Sequence, residues 1–152
     1  MNKVKDMNFR NLKEEDFPNW LELWKGYQSF YKVEIKISVS EVTFKRLLNT
    51  DENMYCLVAE ENGLLIGMVH YIYHRSTWTE GNYCYLQDLY VTPSERSKGL
   101  GRKLIECVYT EAVKNNISRV YWLTHETNYP GRSLYDDVAD NAGFIQYRKN
   151  IG

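Results

Sequence analysis

Arg96-Ser-Lys-Gly-Leu-Gly-Arg-Lys103 is the stretch on which the reading of this chain turns. Upstream, Tyr83-Cys-Tyr-Leu-Gln-Asp-Leu-Tyr-Val91 is rich in aromatic and β-branched residues and predicts a strand. Downstream, Leu100, Leu104, Ile105, Val108 and Ala112 recur at helical spacing, so a helix starts near Lys98 or Gly99. A helix N-terminus carries partial positive charge and ordinarily favours Asp or Glu. Here Arg96, Lys98, Arg102 and Lys103 crowd it, with only Glu95 to offset them. The arrangement is explained if the missing negative charge belongs to a ligand. Free backbone N–H groups, glycines that admit close approach, and flanking cations make a phosphate site. The plainer alternative is a basic turn ahead of a surface helix, with Gly99 as N-cap. Against it, Gly101 inside the first turn costs about 1 kcal/mol relative to Ala.

The pattern G-x-x-x-x-G-K-[ST] is absent, which argues against a Walker-type nucleotide cradle. A dinucleotide fingerprint needs a third glycine and a later acidic residue after a second strand; Arg102, Lys103 and Leu104 follow Gly101 instead. What remains is [Arg/Gln]-x-x-Gly-x-[Gly/Ala], filled by Arg96-Ser97-Lys98-Gly99-Leu100-Gly101. Together with Leu86-Gln-Asp-Leu-Tyr-Val91-Thr-Pro93, this resembles the acetyl-CoA motif of the GCN5-related N-acetyltransferases. Two further features carry the resemblance. Asn128 ends the stretch Val120-Tyr-Trp-Leu-Thr-His-Glu-Thr-Asn128, Tyr135 follows seven residues later, and Ala142-Gly-Phe-Ile145 comes after it. The order of elements along the chain is also that of the family. The resemblance spans nearly the whole sequence, strongly from Met54 to Arg148, and is closest to small Hpa2-type and polyamine-type members.

Composition bounds the rest. A chain of 152 residues, 43% hydrophobic and 26% charged, suits one domain over residues 1–152 with a sheet-based core. A net charge of −1 makes the basic cluster local and gives no general attraction to nucleic acid or an anionic membrane. Cys56, Cys84 and Cys107 sit in apolar surroundings without C-x-x-C spacing, as expected of buried thiols in a reducing cytoplasm. No leader or spanning segment is expected, since the apolar runs are short. His70 and His74 lie four apart on one strand face, but without a third ligand pattern no metal is expected.

Along the chain, Met7–Arg10 is expected as a strand. Lys13–Asp16 opens a helix through Trp24 that Gly26 breaks or bends. Ser40–Leu48 is a second helix with Ser38 or Ser40 as N-cap. Tyr55–Glu60 and Leu64–Tyr73 form a hairpin over Glu61-Asn-Gly63. Strands at Arg119–Leu123 and Phe144–Arg148 and a helix at Pro130–Ala139 complete the expectation. The fold class is α/β: a mixed, mostly antiparallel twisted sheet with helices on both faces. The resemblance implies six to seven strands, with the fourth and fifth splayed to admit the cofactor.

The resemblance also implies the activity: direct transfer of an acetyl group from acetyl-CoA to a primary amine in a ternary complex. The acceptor would be a small molecule such as a polyamine or an amino acid. A protein lysine or N-terminus is an alternative acceptor, and a non-catalytic acyl-CoA-binding regulatory module an alternative role. On the resemblance, Tyr135 protonates the leaving thiolate, and Asn128 binds the cofactor arm or caps the following helix. The backbone of Leu89, Tyr90 and Val91 bonds the pantetheine. Arg96, Ser97, Lys98, Gly99, Leu100, Gly101 and Arg102 hold the diphosphate. Many members place Glu or His four or six residues before the valine; those positions are Gln87 and Tyr85, neither a good base near neutral pH. Alternation points Asp88 to the opposite face, as a buried carboxylate holding the turn. Deprotonation is therefore expected through ordered water, helped by His125, Glu126 or Glu34. Tyr27, Tyr31, Glu34, Trp78 and Tyr85 are the expected acceptor-side residues, since rings beside a carboxylate suit a cationic amine. A homodimer is expected from the family.

Overall fold

The computed structural model describes residues 7–152. The described residues fall into two compact units, divided between Trp122 and Leu123.

The first unit runs β1 (Met7–Asn11), a 3₁₀ turn (Glu14–Asp16), α1 (Phe17–Phe30), α2 (Ile37–Leu48), β2 (Met54–Glu61), β3 (Leu64–Arg75), β4 (Asn82–Val91), a 3₁₀ turn (Pro93–Glu95), α3 (Leu100–Lys114) and β5 (Val120–Tyr121). The sheet order is β1-β2-β3-β4-β5. The first four strands are antiparallel neighbours, and β5 lies parallel to β4. The β2–β3 turn holds Asn62 at φ 52° and Gly63 at φ 78°, the two left-handed positions that a tight hairpin of native twist demands.

Helices cover both faces. On one, α1 presents Trp20, Leu23 and Trp24 and α2 presents Phe44 and Leu47; they meet Cys56, Val58 and Met68 from the strands. On the other, α3 buries Leu100, Leu104, Ile105, Val108 and Ala112 against β2, β3 and β4. Trp20 stacks on Trp24 at 6.0 Å, Trp24 on Tyr27 at 5.2 Å, and Tyr27 packs on Tyr31 at 4.8 Å. Large rings bury about 150–250 Å² each, so this ladder is a major part of what binds α1 to the sheet.

Four expectations are corrected. Gly26 neither breaks nor bends the first helix; α1 continues to Phe30. A Cβ on Gly26 would lie 2.4 Å from the Tyr90 hydroxyl, so the glycine serves close approach. The second helix begins at Ile37, without a side-chain cap, and Ser40 is buried where its Oγ accepts Trp24 Nε1–H at 3.1 Å. The strand at Arg119–Leu123 contracts to Val120–Tyr121, which pairs only with Cys84 and Tyr85. Among the described residues the strands number five rather than six or seven, because Phe144–Arg148 does not form one. The unit of residues 123–152 contains only α4 (Tyr129–Val138) as regular structure. A strand inside that unit would have no ladder partner, and Phe144, Ile145 and Tyr147 are 90%, 77% and 90% exposed.

Candidate active site

The turn between β4 and α3 presents backbone amides with no partner of their own along the helix. Ser97 and Gly99 both adopt left-handed backbone, φ 66° and 81°, on either side of Lys98. Such a succession turns N–H groups toward one concavity. Gly99 is the N-cap of α3 and no side chain caps it, so the first-turn amides of Leu100, Gly101 and Arg102 have no intrahelical acceptor. Nothing lies within 4 Å of where a Gly99 Cβ would sit, so the protein's own packing does not require the glycine. Its conformation does. Leu100 sends its side chain into the core and offers a ligand only its amide.

The cations are arranged less simply than their clustering suggests. Lys98 Nζ pairs with Glu95 Oε2 at 2.9 Å, which raises the lysine pKa. Arg96 folds back: its Nε donates to the Val91 carbonyl at 2.9 Å, and its guanidinium lies 5.4 Å from the Tyr90 ring centre and 5.6 Å from that of Phe30. Arg96 thus ties the turn to the end of α1.

The β4 edge beside this turn is open. Thr92 N–H donates to the Ile66 carbonyl at 2.9 Å, so antiparallel alternation turns the N–H and C=O groups of Val91 and Leu89 away from β3. Because β5 stops at the level of Tyr85, those groups face no strand among the described residues. Arg96 occupies the Val91 carbonyl and leaves its N–H. Leu89, Tyr90, Val91 and residues 96–102 thus lie along one open edge and the turn that follows it.

On the α1 side, sequence reasoning missed a buried polar chain. In β4 a bulge sets Asp88 opposite His70 and Leu86 opposite Tyr71, leaving Gln87 as the extra residue. Two residues then oppose one, and the simple alternation used for Asp88 fails. Gln87 is exposed, whereas Asp88 is buried with its Oδ2 2.9 Å from His70 Nδ1. Trp20 Nε1–H donates to His70 Nε2 at 3.0 Å. Burial first, then the Asp88 carboxylate, pushes the Tyr27 pKa well above the usual phenol range. Tyr31 is raised for the same two reasons. Asp88 therefore holds His70, not the turn. The sequence signal was indirect: a strand histidine level with an aspartate, under an aromatic helix.

The other expected acceptor-side residues are more scattered. Tyr85 packs on Tyr121 at 5.1 Å and also influences Tyr27. Trp78 is 78% exposed, with the Arg119 guanidinium 5.7 Å from its ring centre. Glu34 is exposed beyond α1. His74 is engaged at both nitrogens, with Arg75 O and Tyr121 Oη each at 2.7 Å.

In the second unit, Asn128 is the N-cap of α4: its Oδ1 accepts from Gly131 N–H at 3.4 Å, and its Nδ2 donates to Thr124 Oγ1 at 2.9 Å. Tyr135 is half-buried on α4, and His125 is exposed before it.

Comparison with known proteins agrees with this geometry. Residues 10–138 match the model of the Acetyltransferase (GNAT) family. The chain belongs to the GNAT family. Over 141 residues it is 36% identical to the D-amino-acid N-acetyltransferase HPA3 of Saccharomyces cerevisiae, covering 91% of this chain and 88% of that one. It is 28% identical to the thialysine N-epsilon-acetyltransferase of Mus musculus, over 91% of this chain and 89% of the relative. Among solved GNAT-like folds, an aminoglycoside acetyltransferase, meta-AAC0020, from an uncultured soil metagenomic sample superposes with TM-score 0.83 at 20% identity, covering 99% of this chain and 100% of that chain. Aminoglycoside N-acetyltransferase AAC(6')-Iy, in complex with CoA, superposes with TM-score 0.80 at 17% identity, covering 95% of each chain. As a GNAT member the protein is an acetyltransferase, and enzymes of this family use acetyl-CoA. No helix among the described residues is long and apolar enough to cross a membrane.

Proposed function

We propose that this protein transfers an acetyl group from acetyl-CoA to a primary amine of a small molecule, an amino acid or a polyamine, by direct attack in a ternary complex. The observation that carries the reading is the continuity of the open Leu89–Val91 edge with the uncapped N-terminus of α3. One suits the amides of a pantetheine arm, and the other its diphosphate. The relatives named for D-amino acids and for thialysine support a small amine as acceptor.

Acetyl-CoA supplies an activated thioester carbonyl. The chain's residues handle the rest. An alkylammonium with a pKa near ~10.4 is neutral in only about one molecule in a few thousand at pH 7, so a proton must be removed. The Val91 N–H polarises the carbonyl under attack. Tyr135 donates the proton that the departing sulfur takes up. Asn128 binds the cofactor arm beside its capping role. Gln87 orients water but is no base; His125 is a candidate to help deprotonation through that water. Tyr27, Tyr31 and Tyr85 form the acceptor wall, with Glu34 and Trp78 at its margin. The working form is one catalytic domain over residues 1–152, a cytoplasmic homodimer in which the exposed Phe144, Ile145, Tyr147 and Ile151 are covered.

The test is a panel of D-alanine, thialysine, lysine and spermidine, with release of free CoA thiol followed. Turnover on one or more acceptors supports the reading; none on any overturns it. A second reading, an acyl-CoA-binding regulatory module, is favoured by Gln87 standing where many relatives carry a base. Tyr135→Phe separates the two: unchanged acetyl-CoA affinity with turnover lost about 100-fold supports catalysis.

A further inference from the structure

His74 stands four residues after His70 on β3, so it shares the sheet face to which Trp20 of α1 packs. Register sets Tyr83 opposite His74 on that face, and Tyr121 beside Tyr85. Tyr85 and Tyr121 pack with ring centres 5.1 Å apart, where β5 ends and the open β4 edge begins. The Arg75 carbonyl only accepts, so His74 Nδ1, 2.7 Å from it, carries the hydrogen. Nε2 of the neutral ring then takes the hydrogen of the Tyr121 hydroxyl, also at 2.7 Å. Tyr121 is thereby fixed in direction, with oxygen lone pairs left to accept from a ligand.

Arg119 lies two residues before Tyr121. Its backbone is held by the Cys84 N–H, which donates to the Arg119 carbonyl at 2.8 Å. Its guanidinium lies over the Tyr83 ring, 4.4 Å from the centre, and over the Trp78 ring at 5.7 Å. Rings engage the face of a guanidinium and leave its in-plane N–H donors at the edge. Arg10 spends such donors on Asp16 and Glu60, whereas among the described residues Arg119 has no carboxylate partner. Trp78 remains 78% exposed, a costly place for so large a ring unless it supports the cation beside it.

We infer that Arg119, held by Tyr83 and Trp78, binds the carboxylate of the acceptor, which is a basic amino acid acetylated on its side-chain amine. The inference rests on the acetyl-transfer reading above and deepens it. A diphosphate at the turn after Val91 puts the acyl end of the cofactor on the β4 edge, toward the Tyr85 and Tyr121 rings. Those rings and the Tyr121 oxygen suit an alkylammonium. Arg119 is then about 7 Å further on, at the rise of an extended chain. In an α-amino acid the amine is only about 2.5 Å from the carboxylate carbon, too close to reach both ends. In a lysine-type side chain the separation is about 7 Å. A polyamine has the length but brings a second ammonium, not a carboxylate, to Arg119. As the bond between acetyl carbon and side-chain nitrogen forms, the C–S bond of the thioester breaks. Of the ammonium hydrogens, one stays on the amide nitrogen, one ends on the CoA sulfur and one passes to water.

The experiment uses the full chain and follows CoA thiol release with lysine, with D-alanine, and with cadaverine, which is lysine without its carboxylate. Wild type should use lysine with kcat/KM at least about tenfold above either of the others, the margin of a charge-assisted hydrogen bond. NMR of the lysine product should find the acetyl group on the side-chain nitrogen. Arg119→Gln should raise the lysine KM at least about tenfold with kcat within about threefold of wild type, and bring the lysine-to-cadaverine ratio to about 1. Arg119→Lys keeps the charge without the planar fork and should fall between the two. Trp78→Ala should raise the lysine KM about threefold while leaving the cadaverine KM in place, and Trp78→Phe should restore it. Acetyl-CoA affinity within about twofold of wild type shows that each variant is folded. Should Arg119→Gln not fold, Arg119→Lys and the Trp78 pair carry the same comparison. Cadaverine or D-alanine used as well as lysine by wild type overturns the carboxylate site. So does an acetyl group on the α-nitrogen of lysine, or an unchanged lysine-to-cadaverine ratio in Arg119→Gln. Equal losses on lysine and cadaverine in Trp78→Ala overturn its support of Arg119. If no amine of any kind releases thiol, the acetyl-transfer reading fails and this inference with it. Turnover of spermidine or cadaverine ahead of lysine leaves that reading standing and removes this inference alone.

Discussion

The Tyr90 hydroxyl fills the space that a Cβ on Gly26 would need, 2.4 Å away. Helix propensity alone favours Gly26→Ala by about 1 kcal/mol, yet overpacking a rigid ring costs about 1–3 kcal/mol. Steric cost should win, because the ring carbons lie at 2.7 and 3.0 Å behind the oxygen and Arg96 stacks on the same ring. Gly26→Ala is expected to lower Tm by several degrees. In a Tyr90→Ala background the same change should raise stability. Thermal unfolding of the four proteins decides it, and additive effects would remove the close-approach explanation.

Gly99 offers the complementary case. Its φ of 81° disfavours any other residue, but no protein atom crowds it. Gly99→Ala should cost about 1–2 kcal/mol of stability and should weaken CoA binding at least tenfold. Isothermal titration with CoA measures the second effect separately from the first. Equal affinity in folded variant and wild type would mean that the amides of this turn do not meet the diphosphate.

How much of this was legible beforehand follows from what each signal encodes. The helix of Leu100–Lys114 and the Asn62-Gly63 hairpin were readable because one apolar period or one turn dipeptide specifies each locally. The proposal that the β4–α3 turn takes an anion was also legible, since cations crowding a helix N-terminus contradict its dipole. Gly26 was misread because its purpose lies in Tyr90, far along the chain. Asp88 was misread because a bulge at Gln87 broke the alternation on which its direction was inferred. Lys98 and Arg96 looked like free cations; Glu95 and the Val91 carbonyl already engage them. The strand at Phe144–Arg148 failed for a different reason: extended propensity needs a neighbouring strand, which its own unit does not contain.

Arg10 links the first strand to the start of α1, donating to Asp16 at 2.8 and 2.9 Å and to Glu60 at 2.7 Å. The guanidinium, helped by Lys13 N–H, holds the Asp16 carboxyl below its ordinary value despite burial. A depressed folded pKa means the contribution is present above the unfolded value, near ~3.9, and is lost as pH falls through the folded one. Asp16→Ala leaves Glu60 as the carboxylate Arg10 pairs with, beside the Asn11 carbonyl, and should destabilise by about 3 kcal/mol at pH 7. The difference from wild type should shrink steadily below about pH 4. A gap independent of pH in denaturant titrations would assign the loss to packing instead.

Asn128 has two duties that substitution can separate. Its Oδ1 caps α4 and its Nδ2 reaches Thr124, so both ends of the amide are used within one unit. Asn128→Asp retains an oxygen for the Gly131 N–H and loses the donor to Thr124; a capping aspartate is as good as asparagine. Asn128→Ala loses both and should cost about 1 kcal/mol. If Asn128 only caps, Asn128→Asp keeps wild-type stability and acetyl-CoA affinity. If its amide N–H₂ also serves the cofactor arm, as proposed, Asn128→Asp keeps the stability and weakens acetyl-CoA binding about tenfold, because an anion then faces carbonyl groups. Measuring both quantities on both variants distinguishes the outcomes, since a cap cannot change affinity without changing the helix it starts.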